Sequence, residues 1–220
     1  MFETKTTPVI IYFDRNRLQL YHSSLGTVPG LDLTANIIKD LVIVDQAGFT
    51  SQILNFVQQQ KLDPTPVGII LAETVYFEKN LPSLTDYQTE AQSFFDQVPF
   101  NAVQKKVYTL TKEVRAVAVN KELLDSLIGA VEQQGFRVDF VLPAFLLELL
   151  AGKRWLDQET GEYVTKNFLT LKKLNLLLTE QSPASSDQET SFAPKPRTLK
   201  WTLPVFLLLM AILLALLFRG

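Results

Sequence analysis

The chain has 220 residues, no cysteine, one histidine and a formal net charge of −2, and 47% of it is hydrophobic. One histidine without cysteine excludes the usual Cys/His zinc ligand sets, and slight acidity without a basic cluster excludes the electrostatic footprint of a nucleic-acid binder. The lack of cysteine also fits a reducing compartment.

The opening residues, MFETKTTP, lead straight into a short apolar strand. They lack the apolar core of about 7–15 residues and the cleavage site of a secretory leader. Residues 8–13 read as a strand, Asp14-Arg15-Asn16 as a turn and residues 17–22 as an alternating strand, which together predict a hairpin. A Gly/Pro-containing stretch at 25–31 precedes a β-rich run at 37–44. Residues 48–60 then read as an amphipathic helix, with Thr50 or Ser51 as cap and Phe49, Ile53, Leu54, Phe56 and Val57 as its apolar stripe. Asp63-Pro64-Thr65-Pro66 ends that helix, and residues 67–71 read as a buried strand parallel to an earlier one. Residues 1–83 are expected to form a first subdomain, a small sheet with a crossover helix.

Residues 84–152 predict a second, α+β subdomain. A helix at 84–97 is closed by Val98-Pro99, and two β-runs at 105–111 and 114–119 flank Lys112-Glu113 at hairpin spacing. Asn120 caps a helix at 121–134 whose Leu123, Leu124, Leu127, Ile128 and Val131 share one face, and Gly135 suits the left-handed position beyond it. A strand at 136–142 follows, and Pro143 opens a short helix at 144–151 closed by Gly152. The order α-β-β-α-β predicts two helices over a three-stranded sheet. Residues 153–180 complete the folded part, with a hairpin turn expected at 157–161 and either a strand or a short helix at 168–178.

Residues 181–200 form a linker by composition, rich in Ser, Pro, Gln and Thr. Residues 201–218, bounded by Trp201 and Phe218, read WTLPVFLLLMAILLALLF and carry no charge. As a helix they would rise about 27 Å, close to the thickness of a bilayer's hydrocarbon core. They are expected to be a single C-terminal transmembrane helix. Lys195, Arg197 and Lys200 precede the span and only Arg219 follows it, which places residues 1–200 on the cytoplasmic side. Ala211 and Ala215, four apart, leave a homo-oligomer of the span open.

The residues offer little catalytic chemistry. His22 sits at a strand end with no nucleophile elbow beside it. There is no GxxxxGK[ST] or GxGxxG phosphate loop. Asp14, Asp32, Asp45 and Asp63 suit turns and caps better than a metal ion. The expectation is therefore no catalytic residue, no metal and no cofactor. What remains is aromatic surface in the second subdomain, suited to protein contacts.

That subdomain resembles a known family. Phe94-Phe95-Asp96-Gln97-Val98-Pro99-Phe100, the Val/Ala-rich strand at 114–119, Gly135-Phe136-Arg137-Val138-Asp139-Phe140-Val141 and the helix at 143–150 are similar to the actin-like assembly proteins of type IV pili and type II secretion, PilM and GspL. The resemblance covers residues 8–150. It implies a partial actin-like (ribonuclease H-like) lobe carrying a small α+β subdomain. It also implies a non-enzymatic scaffold for pilus or secretion assembly proteins, with Phe94, Phe100, Tyr108 and Phe136 beside a groove for a partner peptide. Two departures separate the chain from nucleotide-binding members of the family. Its first loop, Phe13-Asp14-Arg15-Asn16-Arg17, keeps an Asp but no glycine, and the chain is too short for a second lobe. An actin-like ATP-binding protein with Asp14 as the metal- or water-organising carboxylate, and a tail-anchored adaptor unrelated to pili, are the alternatives.

Overall fold

The computed structural model describes residues 7–82, 87–111 and 113–178. The linker at 181–200 and the expected span from Trp201 to Phe218 lie outside them. Among the described residues, no helix is long and apolar enough to cross a membrane.

The opening hairpin forms as expected. β1 (Val9–Asp14) pairs antiparallel with β2 (Arg17–Tyr21), and the ladder closes at Asp14 and Arg17. β2 pairs antiparallel with β3 (Gly30–Asp32). The run at 37–44 is not one strand. It folds into a ribbon of β4 (Ile38–Lys39) and β5 (Val42–Ile43), because Asp40 and Leu41 both adopt left-handed backbone, φ 50° and 62°. A leucine there is unusual. It is held from two sides: Arg15 Nη2 reaches Asp40 Oδ1 at 2.8 Å, and Asn120 Nδ2 donates to the Leu41 carbonyl at 2.9 Å.

α1 (Gln46–Gln59) begins earlier than the sequence suggested. Its cap is Asp45, whose carboxylate accepts from Gly48 N at 2.8 Å, so Thr50 and Ser51 lie within the helix. The chain returns through β6 (Pro66–Leu71), parallel to β1 as expected, and passes a 3-10 turn at Glu73–Val75.

β7 (Tyr76–Leu81), α2 (Tyr87–Asp96), β8 (Val103–Thr109) and β9 (Val114–Asn120) build an antiparallel sheet of order β7-β9-β8. α3 (Lys121–Glu132) follows, with Asn120 accepting from Glu122 N at 3.0 Å as its cap. β10 (Arg137–Pro143) then adds to the first sheet, parallel to β6, giving the five-stranded order β10-β6-β1-β2-β3. Here the expected grouping is corrected. The third strand of the small sheet is β7, not the strand after α3, so that sheet spans the boundary placed at residue 83. The reason is local: Phe140, Val141 and Leu142 are apolar enough to be covered on both faces beside β6, whereas β7 reads YFEKNL and is buried only at its ends.

α4 (Ala144–Ala151) ends at Gly152, φ 73°. The expected hairpin turn at 157–161 is instead the start of α5 (Gln158–Lys166). Asp157 accepts from Thr160 N at 2.8 Å, and this cap drives the segment into helix. α6 (Phe168–Lys172), the helical alternative for its segment, completes the elements.

Register assigns the layers. Ile10, Gly68, Phe140 and Tyr21 lie in one row across the large sheet. The Tyr21 ring abuts Gly161 of α5, and the Phe140 ring lies 4.7 Å from that of Phe168 of α6. The alternate face carries Phe13 and Leu71, which meet Leu123, Leu124 and Leu127 of α3. β1 is buried on both sides for this reason. The small sheet has the same logic. Leu81, Val114 and Ala116 face Ala91 of α2, while Tyr108, Val117 and Val119 enter the main core.

Residues 174–178 stitch the two sheets together. Leu176 N donates to the Val141 carbonyl at 2.8 Å, and Asn175 Oδ1 accepts from Val141 N at 2.9 Å, so the segment satisfies the outer edge of β10. From β8, Lys106 Nζ donates to the Asn175 carbonyl at 2.7 Å and Gln104 Nε2 to the Leu176 carbonyl at 3.0 Å. Asn175 and Leu176 are both buried.

Candidate partner-binding surface

In open sheets with parallel strands, ligands ordinarily enter at the carboxyl ends of those strands. Here that end lies where β1, β6 and β10 finish, at Asp14, Leu71 and Pro143. Side chains from the segments that follow these strands meet there. Tyr12 OH donates to the Arg154 carbonyl at 2.8 Å, and the Arg154 guanidinium bridges Glu148 of α4 and Glu73 of the 3-10 turn. Charge-assisted hydrogen bonds that the guanidinium donates, to Glu148 first and Glu73 second, hold it charged more firmly than usual. Burial, with Asp14 and Glu73 nearby, pushes the Tyr12 phenol up to about 12.

Asp14 closes the opening hairpin at the end of β1. Its Oδ1 accepts from the Arg15 N–H at 2.6 Å and from the Thr74 hydroxyl, and the two-residue turn beyond it is Arg15-Asn16. Arg15 is drawn to Asp40. The carboxylate is thus spent on tying the β1–β2 turn to the segment after β6. Beside it, Arg15, Asn16, Leu33, Ile38, Lys39 and Asp40 border a hollow of about 440 Å³. The other singled-out polar group, His22, has Nδ1 2.7 Å from Ser24 Oγ. Among the described residues, no group of three or more His, Cys, Asp or Glu could hold a metal ion.

The four aromatics expected beside a groove occupy different places. Tyr108 is buried on the core side of the small sheet, its ring 5.6 Å from Phe145. Phe136 is buried in the main core just ahead of β10. Phe94 is half-buried on the opposite side of the small sheet, packed with Phe95 at 5.4 Å against the cluster under α2. Phe100 is half-buried and meets Phe77 edge-on at 5.6 Å. The structure therefore brings Phe100 together with Phe77, 39% exposed, and sets Tyr108 and Phe136 inside.

Phe77 and Phe100 form the accessible aromatic edge, and on the α2 side Lys105 Nζ lies 5.2 Å over the Phe95 ring. Phe77 stands among the second subdomain's aromatics in the sequence but not among the four expected beside the groove. Its signal was the pair Tyr76-Phe77, one ring for each face of a strand. Behind this edge the sheet is rigidly backed. The Arg115 guanidinium lies 4.4 Å from the Phe145 ring centroid and pairs with Glu78 and Glu113 at 3.3 and 2.8 Å.

No protein-family model matches the chain, and no curated protein matches it. Solved structures do. One is a PilM–PilN type IV pilus biogenesis complex, 11% identical at TM-score 0.47, covering 66% of this chain and 49% of that one. Another is the cytoplasmic domain of EpsL, an inner-membrane component of the type II secretion system of Vibrio cholerae, 13% identical at TM-score 0.41, covering 64% and 57%. A third is a Bacteroides thetaiotaomicron protein with an actin-like ATPase fold and unknown function, 15% identical at TM-score 0.35, covering 68% and 58%. The chain thus matches about half to three-fifths of the length of each.

Proposed function

We propose that the chain is a non-catalytic cytoplasmic platform, anchored in the inner membrane by residues 201–218, that positions components of a type IV pilus or type II secretion-like assembly. One observation carries the non-catalytic reading. The carboxyl end of the parallel strands is taken up by the protein's own Tyr12, Glu73, Glu148 and Arg154, and Asp14 is bound to Thr74 and the Arg15 amide. A nucleotide would have to displace both sets. Aromatic surface at Phe77 and Phe100 supports the platform role, since exposed rings favour protein interfaces. The choice of assembly follows the motif resemblance at 94–100, 114–119 and 135–150.

Calorimetry of the purified full chain against Mg-ATP tests the first half, and no heat at millimolar nucleotide is expected. Saturable uptake with hydrolysis would replace the platform with an actin-like ATPase. Cross-linking in the native host tests the second half. Inner-membrane pilus or secretion proteins should be joined to the chain and lost with the Phe77→Ser, Phe100→Ser double substitution. Adducts from unrelated pathways only would leave a tail-anchored adaptor.

A further inference from the structure

Large apolar side chains exposed among the described residues are unevenly spread. Of eight, five lie between residues 149 and 178: Leu149, Leu150, Trp155, Leu169 and Leu178, from 44% to 78% exposed. Four of them lie on α4, in the loop after it and on α6. α5 and α6 cover the Tyr21–Phe140 face of the large sheet, so their outer sides point away from the protein. Leu169 lies between buried Phe168 and Leu171 and is 78% exposed. Ala151 and Lys153 line a hollow together with Glu159, Tyr163 and Lys166, so the end of α4 and the loop after it sit beside α5.

The same thirty residues carry five basic side chains against three acidic ones, in a chain whose overall charge is −2. The residues after them supply the occupant. Residue 178 is followed by 22 residues and then by the uncharged run at 201–218. A coil of that length has ends about 25 Å apart. A lobe of this size is about 40 Å across.

We propose that the outer face formed by the end of α4, α5 and α6 rests on the interface of an anionic lipid bilayer, with Trp155, Leu149, Leu150 and Leu169 entering the headgroup–acyl boundary. The inference rests on the reading of residues 201–218 as a span. Leucine side chains with a tryptophan at headgroup level and flanking lysines are the chemistry of interfacial binding.

Trp155 reports it directly, because the only other tryptophan is Trp201. The full chain carrying Trp201→Phe is reconstituted into phosphatidylglycerol-containing vesicles with brominated acyl chains. About a twofold loss of Trp155 emission is expected, as for a ring at the acyl boundary. Leu149→Asp with Leu169→Asp, both at exposed positions, should restore the emission without lowering the melting temperature. Lys166→Glu with Lys173→Glu should restore it in anionic vesicles. Unquenched emission, or quenching equal in the Asp variant, overturns the proposal. Carbonate extraction separates this result from the fate of the span. A chain that resists extraction but stays unquenched keeps the span and loses the lipid-facing surface. If carbonate strips the chain, flotation with anionic vesicles and quenching of Trp155 still support the surface, and failure to float overturns it.

Discussion

The Phe140 ring occupies the space where a side chain at residue 68 would stand. β6 and β10 run parallel with Gly68 and Phe140 as register partners, and a Cβ on Gly68 would overlap the ring. Gly68→Ala should lower stability by about 2 kcal/mol through overpacking. Adding Phe140→Leu should recover part of the loss, because the smaller side chain gives the methyl room. Chemical denaturation of the single and double variants measures both terms. Equal loss in the two would show that the clash lies elsewhere.

The Asn175 side chain accepts from Val141 N and Leu177 N through Oδ1 and reaches the Asp139 carbonyl through Nδ2, and its own carbonyl receives Lys106. Asn175→Ala leaves the buried Val141 amide without its acceptor, a loss of about 1–3 kcal/mol. Hydrogen exchange should speed at Val141 and at 174–178 while β1 and β6 keep their protection. Uniform acceleration throughout would mean that the segment is no separate unit.

Acid stability should depend on Asp139 and Asp157. Burial works to raise the Asp139 carboxyl, but hydrogen bonds from Arg137 and Lys172 outweigh it and hold it below its ordinary value. The Lys153 hydrogen bond, with the cap to Thr160, holds Asp157 lower still. A depressed folded value gives stability that is present above the unfolded value of about 3.9 and is lost as pH falls below it. Asp139→Asn and Asp157→Asn should each be less stable at neutral pH and flatten the decline below about pH 4. Urea melts across that range check the slopes.

The Phe77–Phe100 contact should be worth about 0.5–1.5 kcal/mol in a double-mutant cycle with alanine. Its edge-on geometry at 5.6 Å and the partial exposure of Phe77 make this pair the accessible aromatic point of the small sheet. A coupling near zero would show the rings to be independent.

Much of the fold was legible where period and caps agree. The β1–β2 hairpin, Asn120 before α3 and Gly152 after α4 all follow from short-range patterns that a single strand or helix end decides. Of the partnerships between distant strands, the parallel return of β6 was legible from its apolar run, and those of β7 and β10 were not. β10 and β7 exchange sheets because of what covers them, and neither YFEKNL nor RVDFVLP states its neighbour. At 157–161, Asp, Glu, Thr and Gly read as a turn, but the Asp157 cap and the Tyr21 ring against Gly161 make them the first turn of a helix. The aromatic surface was legible in composition and not in placement. Tyr108 lies on β8, whose register puts it on the core side, whereas Phe94 is on α2 and Phe100 and Phe136 lie outside the strands, where no alternation predicts a face.

The stitched segment at 174–178 has a mechanical meaning. Whatever tugs on the chain through residue 178 meets Asn175 and Leu176 before any helix or strand, and these residues grip Val141 of one sheet and Gln104 and Lys106 of the other. Tension arriving there is divided between both layers, so the lobe's attachment point doubles as the rivet that keeps it whole.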